Sequence, residues 1–369
     1  MGLIALTGCD VHDGTRLHPA AVLVLQDGVC GGIAAQVPQG AQVRAMPPGI
    51  LAPGLVDLQV NGGGGVMFND APTADTLRTM IAAHRSLGTS AMLPTLITDT
   101  PDVTRAAIAA GVALPDLLGL HLEGPHLSVA RKGAHAAGLI RPMTQGDLND
   151  LCDAAGKLRN LMVTVAAETV TPDQIARLTA AGVIVSLGHS DADFDTCVAA
   201  FAAGARCTTH LFNAMSGLGH RTPGLVGATL DGDGAAGIIA DGIHVHPAAV
   251  RAAVRAKARG ALFLVSDAMA VAGTDQMAFA LNGRQITRAK GQLTLADGTL
   301  AGADLSLPQA IAFMLAQGAV TCERAVAMAT SAPASVLRMA GTAGRLVAGQ
   351  ACDVVHFSPD LLTARILDL

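Results

Sequence analysis

The sequence predicts an α/β fold: a TIM-like (β/α)8 barrel joined to a small β domain built from both termini. Two observations carry this. From about Pro53 onward, apolar runs of strand length alternate with Ala-rich stretches of helix length, the pattern of repeated βα units around a parallel sheet. At either end of the chain the apolar segments are short and separated by Gly-containing turn pairs, as in hairpins.

The strands are predicted near Gly54–Val60, Thr89–Pro94, Leu117–Leu122, Met162–Ala166, Val183–Leu187, Ala205–Thr209, Gly237–Ala240 and Leu262–Ser266. Eight such runs between residues 53 and 335 match the ~250 residues a barrel needs. Asp102–Leu114 and Pro247–Gly260 read as intervening helices. Leu3–Gly49 is divided at Asp13-Gly14, Asp27-Gly28 and Gly31-Gly32. The tail offers two more short strand candidates, Gly344-Arg345-Leu346 and the segment around Asp353-Val354-Val355-His356-Phe357. Residues 1–52 and 336–369 are therefore expected to fold together beside a barrel of residues 53–335. Met277–Leu295, with Asn282-Gly283 at its turn, is a β excursion after the eighth strand.

Composition narrows the partners. The chain is 51% hydrophobic and 14% charged, with a net charge of -5 and no run of like charges, so neither nucleic acid nor an anionic membrane is an expected ligand. A mean hydropathy of +0.45 comes from dispersed Ala rather than from any run of membrane-spanning length. Seven cysteines are scattered and never form CxxC, and Met1–Cys9 lacks a basic, signal-like start; a cytoplasmic setting is expected. With no Tyr and no Trp, a sugar site must rely on His, Phe, Met and polar contacts.

The C-terminal ends of barrel strands converge on one open face, so polar residues that follow the apolar runs can meet there. They are Asp57, Gln59 and Asn61 after strand one, His121 and Glu123 on strand three, His189 after five, His210 after six and Asp267 after eight. Two imidazoles and a carboxylate with an open fourth position suit a catalytic divalent metal, which makes Glu123, His189 and His210 the candidate ligands. Such an ion lowers the pKa of its water toward ~7, allowing attack on an unreactive amide, and Asp267 is the candidate base. His135 and His244 are expected on the same face. A lone histidine is more often a hydrogen-bonded core or surface residue, so His12, His18, His84, His126, His220, His246 and His356 are read as structural. Glu168 has either a supporting or a loop role. The run Gly62–Gly65 lacks GxGxxG and a P-loop lysine, and reads as close backbone approach or flexibility rather than a phosphate cradle.

The motifs His121-Leu-Glu-Gly-Pro125, Lys132-Gly-Ala-His135, Leu187-Gly-His-Ser190, Thr209-His-Leu-Phe-Asn-Ala-Met215, Asp241-Gly-Ile-His244 and Ser266-Asp-Ala268 resemble, in order, those of the N-acetylglucosamine-6-phosphate deacetylases of the amidohydrolase superfamily. Pro53-Gly-Leu-Val-Asp57 and Leu300-Ala-Gly302 extend the resemblance over essentially the whole chain. It implies a barrel with a small β-sandwich domain, a homodimer, and hydrolysis of a sugar-phosphate acetamide. It also implies roles: Glu123, His189 and His210 hold one metal ion, Asp267 is general acid/base, and His135 polarises the acetyl carbonyl. Ala134, Asn213, Ala214, His244 and Leu300, Ala301 and Gly302 would contact substrate, and Arg221 would reach the neighbouring subunit's phosphate.

Many amidohydrolases carry His-x-His on strand one and a lysine after strand four. Here strand one reads Gln59-Val-Asn61 and Met162–Glu168 contains no lysine, which supports one catalytic metal, zinc or iron(II) or another divalent ion. Three rival readings remain: the galactosamine epimer of the substrate, a cyclic amide or nucleobase, and a non-catalytic sugar-phosphate sensor. Arg221 and Asn213-Ala214 argue against the second, and retention of Asp267 with all three ligands argues against the third.

Overall fold

A computed structural model describes residues 2–338, 340, 341 and 343–369. Met1, Met339 and Thr342 lie outside the described residues, the last two within the tail segment assigned above to the small β domain.

Eight parallel strands form the central sheet, in chain order: Leu55–Val60, Thr89–Ile97, Leu120–Glu123, Leu161–Val165, Ile184–Leu187, Cys207–Thr208, Ala235–Ile238 and Leu262–Leu264. All eight expected runs are strands, with ends displaced by a few residues. The ring closes just beyond strand eight. The Asp267 amide donates to the Gln59 carbonyl (3.0 Å), the Asn61 amide to the Ala268 carbonyl (2.8 Å), and Val60 and Ala268 form a parallel bridge. Closure at this level brings the ends of strands one and eight, with their polar residues, side by side.

These strands read as nearly continuous apolar runs because both faces are covered, one by the barrel interior and one by helices. Every residue of strand one is buried, and helix residues such as Leu77, Met80, Leu178 and Ile311 join the same core. Local sequence starts the helices where the barrel needs them. Thr100 and Thr171 accept hydrogen bonds from the third amide of their helices, and Pro101 and Pro172 occupy the first turn, where a missing N–H costs nothing.

The termini build two further sheets. One is Val29–Ala34, Val22–Gln26, Leu3–Thr7 and Gln42–Ala45; the other is Ala364–Ile366, Val354–Phe357, Ile50–Pro53, Asp10–His12 and Leu17–His18. Leu6, Val11, Leu23, Leu51, Val354 and Leu367 form the core they share, so the expected β-sandwich from both ends of the chain is present. Only Gly54 separates Ile50–Pro53 from the first barrel strand. One strand expectation fails: Gly344–Leu346 is not a strand. A turn at Gly344 (φ +69°) leads into a single backbone bond from the Leu346 amide to the Asp13 carbonyl (2.9 Å), and the apolar pattern there reflects the buried Leu346 anchor rather than a ladder.

The excursion is an antiparallel sheet of Ala278–Leu281, Arg284–Ala289, Gln292–Thr294 and Leu300–Ala303, turning at Asn282 and Gly283, both with positive φ as a tight hairpin requires. Its last strand returns to the barrel, where the Ala303 amide donates to the Asp267 carbonyl (2.9 Å). No helix among the described residues is long and apolar enough to cross a membrane.

Candidate active site

Glu123 ends strand three, while His189 and His210 follow strands five and six, so the barrel's own closure aims their side chains inward. The Glu123 Oε1 atom lies 3.1 Å from His189 Nε2 and 3.0 Å from His210 Nε2, and the two nitrogens are 3.1 Å apart. All three residues are buried. The His189 Nδ1 proton goes to the Arg131 carbonyl (2.8 Å), which only accepts, so Nε2 keeps its lone pair. A carboxylate oxygen and two imidazole nitrogens thus converge on one point, a donor set suited to a divalent cation. Tetrahedral bonds of ~2.0–2.2 Å place donor atoms roughly 3.3 Å apart, close to the separations found, so the triad fits a divalent ion. His210 Nδ1 has no hydrogen-bond partner among the described residues.

Burial raises a carboxyl's pKa, but the two imidazoles of His189 and His210 beside it outweigh that and hold Glu123 well below the usual range. Burial likewise works to lower His210, and the Glu123 carboxylate outweighs it, raising that pKa. Gln59 Nε2 donates to the same Glu123 oxygen (3.2 Å), orienting it as a neutral amide can.

Asp267 follows strand eight with φ +51°. Burial, with the Glu123 charge second, pushes its carboxyl up to about 6. Asn61 Nδ2 donates to Asp267 Oδ1 at 2.6 Å, while Asn61 Oδ1, buried in the cavity wall, has no partner among the described residues. His189, His210, Phe212 and Ala214 also adopt positive φ. Side chains rarely take that conformation, and its concentration on these loops marks strain held in place for the site.

His135 packs edge-on against His189, with ring centroids 4.4 Å apart. The Thr98 amide donates to His135 Nδ1 (3.4 Å) and the Thr98 hydroxyl lies 2.8 Å from it. Nδ1 is therefore the acceptor and the ring's proton sits on Nε2, 4.0 Å from Glu123 Oε2. Burial, reinforced by His189, lowers the His135 pKa to about 3, keeping the ring neutral. On the opposite wall His244 donates from Nδ1 to Asp241 Oδ2 (2.6 Å), while the Ile243 and His244 amides hold Asp241 Oδ1 (2.8 Å each).

One cavity of about 270 Å³ is lined by Asn61, Glu123, Ala134, His135, His189, His210, Asn213, Ala214, His244, Asp267, Leu300, Ala301 and Gly302. Arg221 lies outside it, exposed on the loop after residue 217. His121 is at the site's level but not in it: it donates from Nδ1 to the Leu58 carbonyl (3.1 Å) and pairs with Thr164 through Nε2 (2.7 Å), a satisfied core residue. Glu168 accepts from Ser190 Oγ (2.5 Å) and the Asp191 amide (2.7 Å), bracing the loop that carries His189. Gly62 belongs to close packing, since a Cβ there would sit 2.5 Å from the Val66 carbonyl oxygen and 2.7 Å from the Ala270 nitrogen. Among the seven histidines read as structural, His84 bonds the Gly62 carbonyl (2.9 Å) and His12 the Glu323 carbonyl (2.9 Å).

Sequence reasoning missed Ile97, Ile239, Met269, Leu281 and Thr299 in the cavity wall, and Thr98 behind His135. Ile97, Ile239 and Met269 also end or follow barrel strands, but an apolar side chain carries no chemical signal to single it out.

The amidohydrolase family matches residues 50–367. An N-acetylgalactosamine-6-phosphate deacetylase of Shewanella sp. (strain ANA-3) is 39% identical over 97% of this chain and 93% of its own. The N-acetylglucosamine-6-phosphate deacetylase of Haemophilus influenzae is 34% identical over 84% of this chain and 83% of its own. Among solved structures, an aspartate-to-alanine mutant of the Mycobacterium smegmatis N-acetyl-D-glucosamine-6-phosphate deacetylase, in complex with N-acetyl-D-glucosamine-6-phosphate, superposes with a TM-score of 0.92. It is 31% identical and covers 100% of this chain and 98% of that one. The convergent Glu-His-His triad at the mouth of an eight-stranded barrel and these matches along nearly its whole length agree: the chain belongs to the amidohydrolase family.

Proposed function

We propose that the chain hydrolyses N-acetyl-D-glucosamine 6-phosphate to D-glucosamine 6-phosphate and acetate. The observation that carries this reading is a metal-suited triad, a buried carboxyl of raised pKa and a neutral imidazole donor gathered in one cavity. Glu123, His189 and His210 would hold one divalent ion, zinc in the first instance, with iron(II) or another ion as alternatives. Such an ion supplies Lewis acidity and lowers the pKa of water toward ~7. Asp267 takes the proton from the attacking water and later delivers it to the sugar nitrogen as the C–N bond breaks. His135 Nε2–H donates to the acetyl oxygen as negative charge gathers there, and is already aimed because Thr98 holds Nδ1. Ala134, Asn213, Ala214, His244 and Leu300–Gly302 contact the sugar phosphate. Arg221, outside its own chain's cavity, reaches a neighbouring subunit's phosphate in a homodimer. A cytoplasmic setting, suggested by seven free cysteines, belongs to the same proposal.

A second reading has its own support. The 39% identical Shewanella relative is named for the galactosamine epimer, which differs from the gluco substrate in the orientation of one hydroxyl. The test is acetate release from both epimers and from unphosphorylated N-acetylglucosamine, after chelation and again after adding zinc or iron(II). Metal-restored release from the gluco phosphate, faster than from its epimer, is expected. Faster release from the galacto phosphate would move the assignment to the epimer. No release from any phosphorylated sugar would defeat both.

A further inference from the structure

The cavity that holds the triad has one wall with no polar side chain, where Ile97, Met269, Leu281 and Ala301 line it. These four belong to a single buried apolar cluster, separate from the main barrel core, and Ala134, the neighbour of His135, packs against it. Three parts of the fold converge to build it. Ile97 ends barrel strand two, Met269 stands two residues past Asp267, and Leu281 and Ala301 come from strands of the excursion sheet.

The cluster is held firmly where it meets the reacting groups. Asn69 accepts from the Ile97 amide and donates to its carbonyl (3.1 Å each), and the next residue, Thr98, holds His135 Nδ1 (2.8 Å). Met269 packs against the excursion sheet at Gly302, where a Cβ would stand 2.5 Å from its Cγ and Sδ atoms. The Ala303 amide ties that same sheet to the Asp267 carbonyl (2.9 Å).

We propose that Ile97, Met269 and Leu281 form an acyl pocket, which takes the methyl group of the substrate's acetamide and restricts turnover to short acyl chains. The inference rests on the deacetylase reading above and names what that reading leaves open. An amide carbonyl is planar, so its three substituents point to three different walls. The oxygen lies toward His135 Nε2. The nitrogen comes within reach of Asp267 and carries the sugar toward Asn213 and His244. The acyl chain is left with the wall whose side chains carry no charge. A methyl group buried there is stabilised, whereas each added methylene must displace side chains of a packed cluster.

The test is kcat/KM of the metal-loaded, full-length enzyme for N-acetyl, N-propanoyl and N-butanoyl hexosamine 6-phosphates, in whichever of the gluco and galacto series has the faster N-acetyl compound. The free amine is common to all three reactions and serves as the readout. Acyl preference is a ratio measured on one preparation, so any loss of folded protein in a variant cancels. In the wild type, kcat/KM should fall roughly tenfold or more per added methylene. Met269→Ala and Leu281→Ala open space in the wall, and each should lower the acetyl-to-butanoyl ratio by about tenfold or more. Asn213→Ala, on the sugar-phosphate side, should lower all three substrates by a common factor. Equal wild-type turnover of the acetyl and butanoyl compounds would overturn the pocket and leave the hydrolase reading standing. Wild-type preference retained in both pocket variants would overturn it as well. No turnover of any chain would overturn the pocket and the hydrolase reading together.

Discussion

Replacing Asn61 with Ala removes a hydrogen bond of 2.6 Å to Asp267 from a buried site. A bond to an ionised carboxylate contributes ~1.5–3 kcal/mol, and each 1.4 kcal/mol moves a pKa by one unit, so the Asp267 pKa rises by ~1–2 units. The sign follows from which form Asn61 favours. Its Nδ2 stabilises the carboxylate, and losing it favours the acid, which cannot accept the water's proton. Starting from about 6, the carboxylate fraction at pH 7 falls roughly two- to tenfold, and kcat/KM falls with it. A bound cation draws both profiles down together and leaves their separation intact. The assay is kcat/KM for acetate release from pH 5 to 10, with circular dichroism as a check on folding. The acidic limb of Asn61→Ala should move up by one to two units and the two curves converge at high pH. An equal loss at every pH, with the limb unmoved, would refute the reasoning and reduce Asn61 to a substrate contact.

Asp267→Asn should retain substrate affinity by calorimetry while turnover falls ~10²–10⁴-fold; near-normal turnover would remove Asp267 from the proposed mechanism. His189→Ala should lower bound metal from one ion per chain to far below that, measured by mass spectrometry of the digested protein, because neither Gln59 nor Asn61 can replace an imidazole. Thr98→Val leaves His135 held only by the long amide contact and should lower kcat roughly tenfold with a smaller change in KM. Asp147 accepts from Arg141 Nη2 (2.7 Å) and from the Thr144 amide (2.8 Å), which hold its carboxyl below the usual range despite burial. A depressed carboxyl stabilises above its unfolded pKa and loses that contribution as pH falls. Asp147→Asn should therefore cost about 1 kcal/mol at pH 7, partly screened by solvent, with the gap in Tm closing below about pH 4.

The metal-suited triad was legible because its chemistry is written in residue types. Glu123, His189 and His210 each stand at or just past the C-terminal end of an apolar run, and barrel geometry requires those ends to meet. Asp267 was legible for the same reason. Thr98 was not, since a threonine after a strand carries no signal until His135, remote in sequence, is placed against it. His121 shows the converse: beside Glu123 and equally suited to metal, it is consumed by Leu58 and Thr164 inside the barrel. Leu346 mimicked a strand residue because an isolated buried anchor and a one-sided strand look alike over three residues.

By itself the sequence determined the barrel, its strand order, the terminal β sheets and the residue types of the site, since these follow from periodicity and from polar residues placed at strand ends. The tertiary structure alone decided how the site is held. It set the tautomers of His135 and His189 and the pairing of Asn61 with Asp267. Each depends on groups brought together across the fold, and no local pattern encodes a hydrogen bond between partners that meet only when the barrel closes.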